Sequence, residues 1–297
     1  MNLLITGAWA DAKAHISAIE EMGHNVVFLQ QEKEKLPCTY EWVEGVICNG
    51  LFLHHPISKF TSLKYIQLTS AGFDRVPMDE VKRRNIEIHN ARGVYSIPMA
   101  EFAIAGVLDL YKDMGRFRDQ QKRHEWIKNR TIMELAGSKA VIVGCGSVGT
   151  ECAKRFKAFE CEVIGLDVAI REDPWFDKMV KIEMIDTILP EADVVVLTVP
   201  LNDETRGLIN QRRLKLINGI LVNISRGGVV DMKALEAWKG AAVLDVFREE
   251  PLDESSSLWE KKNTIVTPHN SFVGNGNGKR LEKVIVKNLR GCILKNG

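Results

Sequence analysis

The chain alternates short apolar runs with amphipathic stretches, first within residues 1–95 and again after residue 138. The first series contains the runs NLLIT, NVVFLQ, GVICNG, LKYIQLT and IEIHN, with the helix-like stretch DAKAHISAIEEMG after the first of them. The second series contains the runs KAVIVG, CEVIGLD, ADVVVLTVP, GILVNIS, AAVLDVF and NTIVTP. Strands that alternate with helical stretches are typical of parallel sheets covered by helices. The pattern therefore predicts an α/β protein with two such sheets.

Two helices are predicted at the borders of these series. The stretch MAEFAIAGVLDLYKDM is apolar on nearly all sides, as in a helix buried between two layers, and we place a domain boundary just before it. Near the end of the chain, apolar residues recur at helical spacing, which favours a helix docked on a core. These residues are Leu281, Val284, Ile285 and Leu289.

Composition restricts the function more than the fold. The 297 residues include 40 basic and 39 acidic side chains, a formal charge of +1, so we expect neither nucleic acid nor an anionic membrane as a partner. The sequence contains no run of about 18 apolar residues, so no membrane span is predicted. The first residues lack the pattern of a signal peptide, and a cytoplasmic protein is expected.

The cysteines show no CxxC pair and no metal-ligand spacing, which favours reduced thiols and no bound metal. They are Cys38, Cys48, Cys145, Cys152, Cys161 and Cys292.

A GxGxxG motif follows the apolar run AVIV. Gly144 permits a tight turn, Gly146 lets backbone N–H groups approach a pyrophosphate, and Gly149 lets the next helix pack on its strand. Helical spacing after the motif predicts that helix, whose N-terminal end faces the anion. The residues at this spacing are Val148, Cys152, Phe156 and Phe159. The motif predicts a bound dinucleotide.

Asp167 ends the next apolar run, eighteen residues after Gly149. A carboxylate at this strand end accepts hydrogen bonds from the adenosine ribose and repels a 2′-phosphate, which favours NAD over NADP. Arg171 lies nearby and could soften this preference; a solvated loop aspartate is the alternative interpretation of Asp167.

Three later strands each end in a group useful for catalysis. Arg226 follows LVNIS, Glu250 follows AAVLDVF and His269 follows NTIVTP. Because ligands bind at the carboxyl ends of parallel strands, we expect these side chains to gather there. We predict that His269 is the acid/base of a hydride transfer, Glu250 its partner and Arg226 the substrate anchor. Taken singly, each residue could equally be structural.

These motifs resemble the D-isomer-specific 2-hydroxyacid dehydrogenases. The resemblance extends from about Leu68 to His269 and includes GCGSVG with Asp167, VPLNDETRGLI, LVNISRGGVVD, AAVLDVFREEPL and TPHNS. Two positions depart from the family pattern: Glu160 replaces a frequent glycine, and Thr198 stands where His or Cys is common. Neither departure removes a catalytic group.

The resemblance implies two Rossmann-like domains. A central NAD-binding doubly wound sheet, residues 96–271, interrupts a flavodoxin-like substrate domain that consists of residues 1–95 and 272–297. It further implies a small 2-oxo or 2-hydroxy acid substrate and a homodimer formed through the NAD domain. The predicted cofactor-binding residues are Gly144, Gly146, Ser147, Val148, Gly149, Asp167, Val199, Pro200, Thr205, Ile224, Ser225 and Asp245. Asp245 would orient the nicotinamide amide, or would be a structural strand-end carboxylate.

LTSAGFD resembles the family's carboxylate-binding loop, so Ser70, Ala71 and Gly72 are predicted to bind substrate, with Arg92 as a further candidate. His54, His55 and the loop near Tyr95 are further candidates for contacting the substrate's side chain. Two alternatives remain open. An NAD(H)-responsive, corepressor-like binding protein could use the same scaffold, and formate dehydrogenases resemble the pattern but with Gln in place of Glu250.

Overall fold

The structure is a computed structural model that describes residues 1–296, with side chains described as far as Gly291. The chain divides into two compact units, Ser96–Val273 and a unit that joins Met1–Tyr95 to the segment beginning at Gly274. The predicted α/β class, with two parallel sheets, is confirmed. The assignment of the first unit to substrate binding stays a prediction.

The first unit contains a five-stranded parallel sheet in the order β2-β1-β3-β4-β5, the flavodoxin-like order. Its strands are β1 (Asn2–Thr6), β2 (Asn25–Leu29), β3 (Gly45–Cys48), β4 (Tyr65–Leu68) and β5 (Glu87–His89). Each of the five apolar runs forms one strand. Its helices are α1 (Ala12–Glu21), α2 (Met78–Arg83) and the terminal helix Asn277–Asn296.

The terminal helix packs on one face of this sheet. Leu281, Ile285 and Leu289 are buried in one cluster with Leu3 and Ile5 of β1, as the helical spacing predicted. The opposite face carries a separate apolar cluster that includes Leu4, because successive strand residues point to opposite faces. Cys292 lies outside the residues whose side chains are described.

The second unit contains a seven-stranded parallel sheet in the order β12-β11-β10-β9-β6-β7-β8. Its strands are β6 (Lys139–Val143), β7 (Glu162–Asp167), β8 (Lys178–Lys181), β9 (Val194–Leu197), β10 (Ile220–Asn223), β11 (Ala241–Leu244) and β12 (Thr264–Val266). The sheet extends in both directions from β6, so the strand order reverses there, as in doubly wound nucleotide-binding folds.

Apolar clusters cover both faces of this second sheet. Val141 and Val143 of β6 belong to one cluster, and Ala140 and Ile142 to the other. The α-helices of the second unit are α3 (Ser96–Tyr111), α4 (Met114–Lys122), α5 (Ser147–Ala158), α6 (Ile185–Ile188), α7 (Gln211–Leu214) and α8 (Met232–Ala237). The terminal helix of the first unit is numbered α9. Phe159 lies just beyond the end of α5 at Ala158 and is 40% exposed, so the buried apolar face of this helix ends at Phe156.

One strand, β8, was not predicted. Its sequence KMVK has only two apolar residues, and its two lysines are exposed at the edge of the sheet. An edge strand with one neighbour needs no continuous apolar run, so the hydrophobic pattern does not reveal it.

Candidate active site

The turn between β6 and α5 needs glycine at two of its three motif positions. Gly144 has φ +96°, and a Cβ there would lie 2.8 Å from the Val199 nitrogen. A Cβ on Gly149 would lie 2.1 Å from the Gly144 oxygen, because α5 passes directly over the turn. At Gly146, by contrast, a Cβ would meet nothing within 4 Å. The protein leaves this side of the loop open, as a pyrophosphate against the backbone requires.

Asp167, the last residue of β7, holds its carboxylate beside this turn. Its Oδ2 accepts the Cys145 N–H at 2.7 Å, and its Oδ1 accepts the Ala169 N–H at 3.1 Å. A carboxylate has about four acceptor positions, so two remain for ribose hydroxyls. Asp167 is therefore not merely a solvated loop residue. These features fit an adenine dinucleotide.

The Cys145 side chain takes no part in this site. Burial, with a smaller contribution from Asp167, raises the pKa of its thiol to about 12. The thiol is therefore neutral at physiological pH and is not a nucleophile.

The other predicted cofactor-binding residues flank the ends of β6, β9 and β10. Thr205 fixes the turn after β9, because its hydroxyl donates to the Pro200 carbonyl at 2.6 Å and accepts the Asn202 N–H at 2.9 Å. The Ile224 side chain is buried in the core, and the Ser225 hydroxyl and N–H both donate to the Asn223 side-chain oxygen. Val148 and Val199 pack partly against the cores, and Ser147 begins α5.

Glu250 and His269 form a direct pair. His269 Nδ1 lies 2.8 Å from Glu250 Oε2, and Glu250 Oε1 accepts the Phe247 N–H at 2.9 Å. Because a carboxylate only accepts hydrogen bonds, Nδ1 carries the proton and Nε2 is left for other chemistry. Within the described chain, Nε2 contacts no hydrogen-bond partner. The two side chains are 41% and 36% exposed, so a small molecule can reach them.

Asp245 holds the loop that carries His269. Its carboxylate is fully buried and accepts three hydrogen bonds, from the Thr267 hydroxyl at 2.7 Å, the Asn270 N–H at 2.7 Å and the Ser271 N–H at 2.9 Å. Its carbonyl accepts the His269 N–H at 2.8 Å. The contacts support the structural interpretation of Asp245, and the nicotinamide contact stays a prediction.

Arg226 follows β10, the strand next to β11. Its Nη1 donates to the Ser225 carbonyl at 2.8 Å. A Cβ on the next residue, Gly227, would lie 1.9 Å from the carbonyl carbon of Phe247, so the Arg226 loop packs backbone to backbone on the loop that leads to Glu250. The structure thus joins Glu250 to His269 directly and places Arg226 on the adjacent loop.

Asn223 is a positioning residue that sequence reasoning missed. It is buried, accepts the Ser225 N–H and hydroxyl, and donates to the Arg226 carbonyl at 3.2 Å. The sequence held one indication of this role, because Asn223 is a polar residue at the end of an apolar strand. A polar side chain is costly to bury unless it is hydrogen-bonded.

The predicted substrate loop follows β4 in the first unit. The backbone N–H groups of Ser70, Ala71 and Gly72 donate to no acceptor in the described chain. Two braces hold the loop in place: the Ser70 carbonyl accepts the Ala91 N–H at 2.9 Å, and Asn90 Nδ2 donates to the Ala71 carbonyl at 2.6 Å. Successive free N–H groups form a concave site for an anion.

The other substrate candidates differ in accessibility. Arg92 is exposed, and its guanidinium has no partner in the described residues. Tyr95 donates from its hydroxyl to the Thr69 carbonyl, which braces the same loop. His54 lines a polar surface cleft, whereas His55 is buried and bonded to the Tyr40 hydroxyl at 2.9 Å. His55 is therefore a core residue, and its candidacy is wrong.

Comparison with known proteins identifies the family. A family model described as the NAD binding domain of D-isomer specific 2-hydroxyacid dehydrogenases matches residues 104–271, more than half of the chain. The chain belongs to this family. Its cofactor is accordingly NAD, and residues 104–271 are its NAD-binding domain.

Relatives along most of the chain agree with this assignment. A glyoxylate reductase of Thermofilum pendens is 31% identical over 77% of this chain and 71% of its own length. A D-3-phosphoglycerate dehydrogenase of Archaeoglobus fulgidus is 35% identical over 70% of this chain, but the match spans only 41% of that relative. The crystal structure of a family protein from Aeromonas salmonicida, 28% identical, superposes with a TM-score of 0.83 over 98% of this chain and 94% of its own.

The described residues form neither a membrane-spanning helix nor a cluster of metal ligands. No helix there is both long and apolar enough to cross a membrane. No group of three or more metal-ligating side chains is assembled in the described part of the chain. The cytoplasmic location and the lack of a metal stay predictions.

Proposed function

We propose that the protein interconverts a small 2-oxo acid and its D-2-hydroxy acid, with NAD as the hydride carrier. The observation that carries the proposal is the 2.8 Å pair of His269 and Glu250 at the carboxyl edge of the NAD-binding sheet. A reaction that moves a hydride to a carbonyl carbon also needs a proton at the carbonyl oxygen, and imidazole suits that transfer at neutral pH.

His269 performs the proton transfer in this proposal. Glu250 holds the imidazole by its Nδ1–H, which leaves Nε2 to give or take the proton. NADH, held against the glycine turn, would supply the hydride for the carbonyl carbon. As the carbonyl π bond breaks, its electron pair takes the proton from His269 Nε2, and the alcohol forms. In oxidation, neutral His269 accepts that proton again.

Arg226 in the second unit and the Ser70–Gly72 loop in the first unit are each proposed as a group that binds negative charge. A guanidinium polarises a carbonyl and binds a carboxylate through paired N–H groups. The three N–H groups of Ser70, Ala71 and Gly72, which donate to no acceptor in the described chain, suit an anionic group such as a carboxylate.

A substrate panel tests the reaction. NADH oxidation is followed at its near-ultraviolet absorbance with glyoxylate, hydroxypyruvate, pyruvate, 2-oxoglutarate and 3-phosphohydroxypyruvate. We expect turnover with at least one of them. A folded sample that binds NADH but turns over none would contradict the proposal. No described feature favours the corepressor-like alternative.

A matched pair of histidine variants tests the acid/base role. His269→Gln should lower kcat about a hundredfold or more and leave NADH affinity unchanged, because only proton transfer is lost. His124→Gln is the control: His124 is exposed, lies in the same unit and also has a positive φ, +56° against +52° for His269. Equal activity of the two variants would remove His269 from the mechanism.

We also infer a homodimer formed through the NAD-binding unit. The irregular segment between α4 and β6 exposes four large apolar side chains, an arrangement typical of an association surface. These are Trp126 (94% exposed), Ile127, Ile132 and Met133.

A further inference from the structure

Arg171 contacts the glycine turn from outside it. It lies in the connection between β7 and β8, four residues after Asp167. Its Nη2 lies 2.6 Å from the Cys145 carbonyl oxygen and 3.1 Å from the Thr150 hydroxyl, inside the first turn of α5. The guanidinium therefore joins the turn to the helix that follows it.

A carboxylate fixes the guanidinium in this position. Asp173 Oδ2 accepts from the same Nη2 at 2.9 Å, and its side chain is only 10% exposed. Asp173 Oδ1 accepts the Trp175 N–H at 3.2 Å, so the carboxylate is itself anchored to its loop. An anchored carboxylate reduces the rotamer freedom of the arginine and directs its donors inward.

The peptide groups around Cys145 are consequently held from both sides. Asp167 accepts the Cys145 N–H, and Arg171 donates to the Cys145 carbonyl. That carbonyl and the Gly146 N–H belong to one planar trans peptide group and point in opposite directions. Whatever fixes the carbonyl therefore fixes the direction of the Gly146 N–H. This N–H donates to no acceptor in the described chain, and the Gly146 side of the loop is open.

We propose that Arg171 is a positioning residue for the pyrophosphate of NAD, acting through the Cys145–Gly146 peptide group. A free loop would rotate this peptide and lose the N–H aimed at the phosphate; the arginine keeps it preorganised. The role differs from that of a 2′-phosphate reader, which would direct its donors toward the ribose. It rests on the NAD site and not on the catalytic roles of His269, Glu250 or Arg226.

Binding measurements on the full chain test this role. Dissociation constants are measured for NADH, for ADP-ribose, which has the pyrophosphate but no nicotinamide, and for NADPH. For Arg171→Met, all three should rise about tenfold by a common factor, the order expected for losing one charge-assisted hydrogen bond. Arg83→Met is the control, because the exposed Arg83 pairs with Glu80 on α2, in the first unit rather than in the NAD-binding unit.

Two further variants separate positioning from folding. Arg171→Lys keeps the cation and can reach the Cys145 carbonyl, so it should recover at least half of the lost binding on a logarithmic scale. Asp173→Asn leaves the arginine unanchored and should weaken NADH binding about threefold. With a turned-over 2-oxo acid, Arg171→Met should raise the KM for NADH about tenfold and keep kcat within about twofold.

Three results would overturn the proposal. Unchanged NADH affinity in a folded Arg171→Met sample shows that the loop needs no external support. A loss confined to NADPH makes Arg171 a reader of the 2′-phosphate. Lys and Met variants that are equally impaired show a general structural role. Because none of these binding results depends on turnover, they are independent of a failure of the catalytic proposal.

Discussion

Asp245→Asn is a nearly isosteric change at the buried centre of the candidate active site. The carboxylate accepts two hydrogen bonds at Oδ1, from Thr267 and Asn270, and one at Oδ2, from Ser271. The amide oxygen of asparagine replaces Oδ1 best, which turns the NH2 group toward the Ser271 N–H. Ser271 is itself buried, so its donor loses its partner without gaining water.

The expected loss of stability in Asp245→Asn follows from these contacts. An orphaned buried donor costs about 1–3 kcal/mol, and two bonds that change from charged to neutral acceptors lose roughly 1 kcal/mol each. Removing a buried charge returns part of its desolvation cost. We therefore expect the free energy of unfolding of the second unit to fall by about 2–4 kcal/mol. Because the loop carries His269, kcat should fall about tenfold or more.

Urea unfolding followed by circular dichroism measures the effect. Two compact units can give two transitions, so the change is read from the one that saturating NADH shifts. Asp231→Asn is the control: Asp231 is the exposed N-cap of α8 and accepts the Ala234 N–H, a role that Asn fills equally well. Its effect should stay within about 0.5 kcal/mol. Wild-type stability of Asp245→Asn together with weakened NADH binding would refute the reasoning and favour a nicotinamide contact.

Three further predictions concern packing, thiol chemistry and assembly. Gly149→Ala should weaken NADH binding at least about tenfold, because its Cβ would overlap a backbone oxygen. Gly115→Ala, also in a helix, should be neutral or stabilising, because its Cβ would meet the Arg118 side chain at an ordinary contact distance of 3.9 Å; equal effects would contradict the packing argument. Burial raises the pKa of the Cys152 thiol to about 12, so iodoacetamide at pH 8 should label this thiol only after unfolding. Peptide mass spectrometry measures the labelling, and labelling of the native protein would show an accessible thiolate instead. Since the unfolded thiol ionises near 9.0, this group favours the fold below that pH and destabilises it as the pH rises toward about 12. Trp126→Ser should lower the molar mass measured by light scattering toward that of the monomer, whereas Trp259→Ser, at another exposed tryptophan, should leave it unchanged. A wild-type mass for both variants would place the dimer surface elsewhere.

The sequence revealed most of the fold because buried parallel strands are continuous apolar runs. Eleven such runs were recognised, and each became a strand. The missed strand, β8, has one neighbour and two exposed lysines, so its backbone pairing leaves little trace in the hydrophobic pattern. Hydrophobic burial is visible in a sequence, whereas edge pairing depends on backbone hydrogen bonds that any residue can make.

The sequence was sufficient to predict which strand ends carry the candidate site, but not which side chains support it. Parallel strands align their carboxyl ends, so Arg226, Glu250 and His269 could be assigned to one edge without knowing any contact. The contact between Glu250 and His269 was predicted and a structural role for Asp245 was left open, but the hydrogen bonds that support the pair were not predicted. Asn223 and Asp245 act through loop N–H and carbonyl groups whose proximity depends on turn geometry that no sequence period encodes.

The groups that meet the ligand and the groups that position them have opposite requirements: the first must be accessible, and the second are held by burial. His269 and Glu250 must meet a substrate, so they stay more than one-third exposed and cannot be held by burial of their own side chains. The buried carboxylate of Asp245 supplies the missing rigidity, because its three hydrogen bonds fix the backbone on which His269 is mounted. Arg171 has the same relation to the glycine turn, whose backbone must also meet its ligand and is open to it at Gly146. In both places an anchored polar group holds the backbone, and the group that meets the ligand stays accessible.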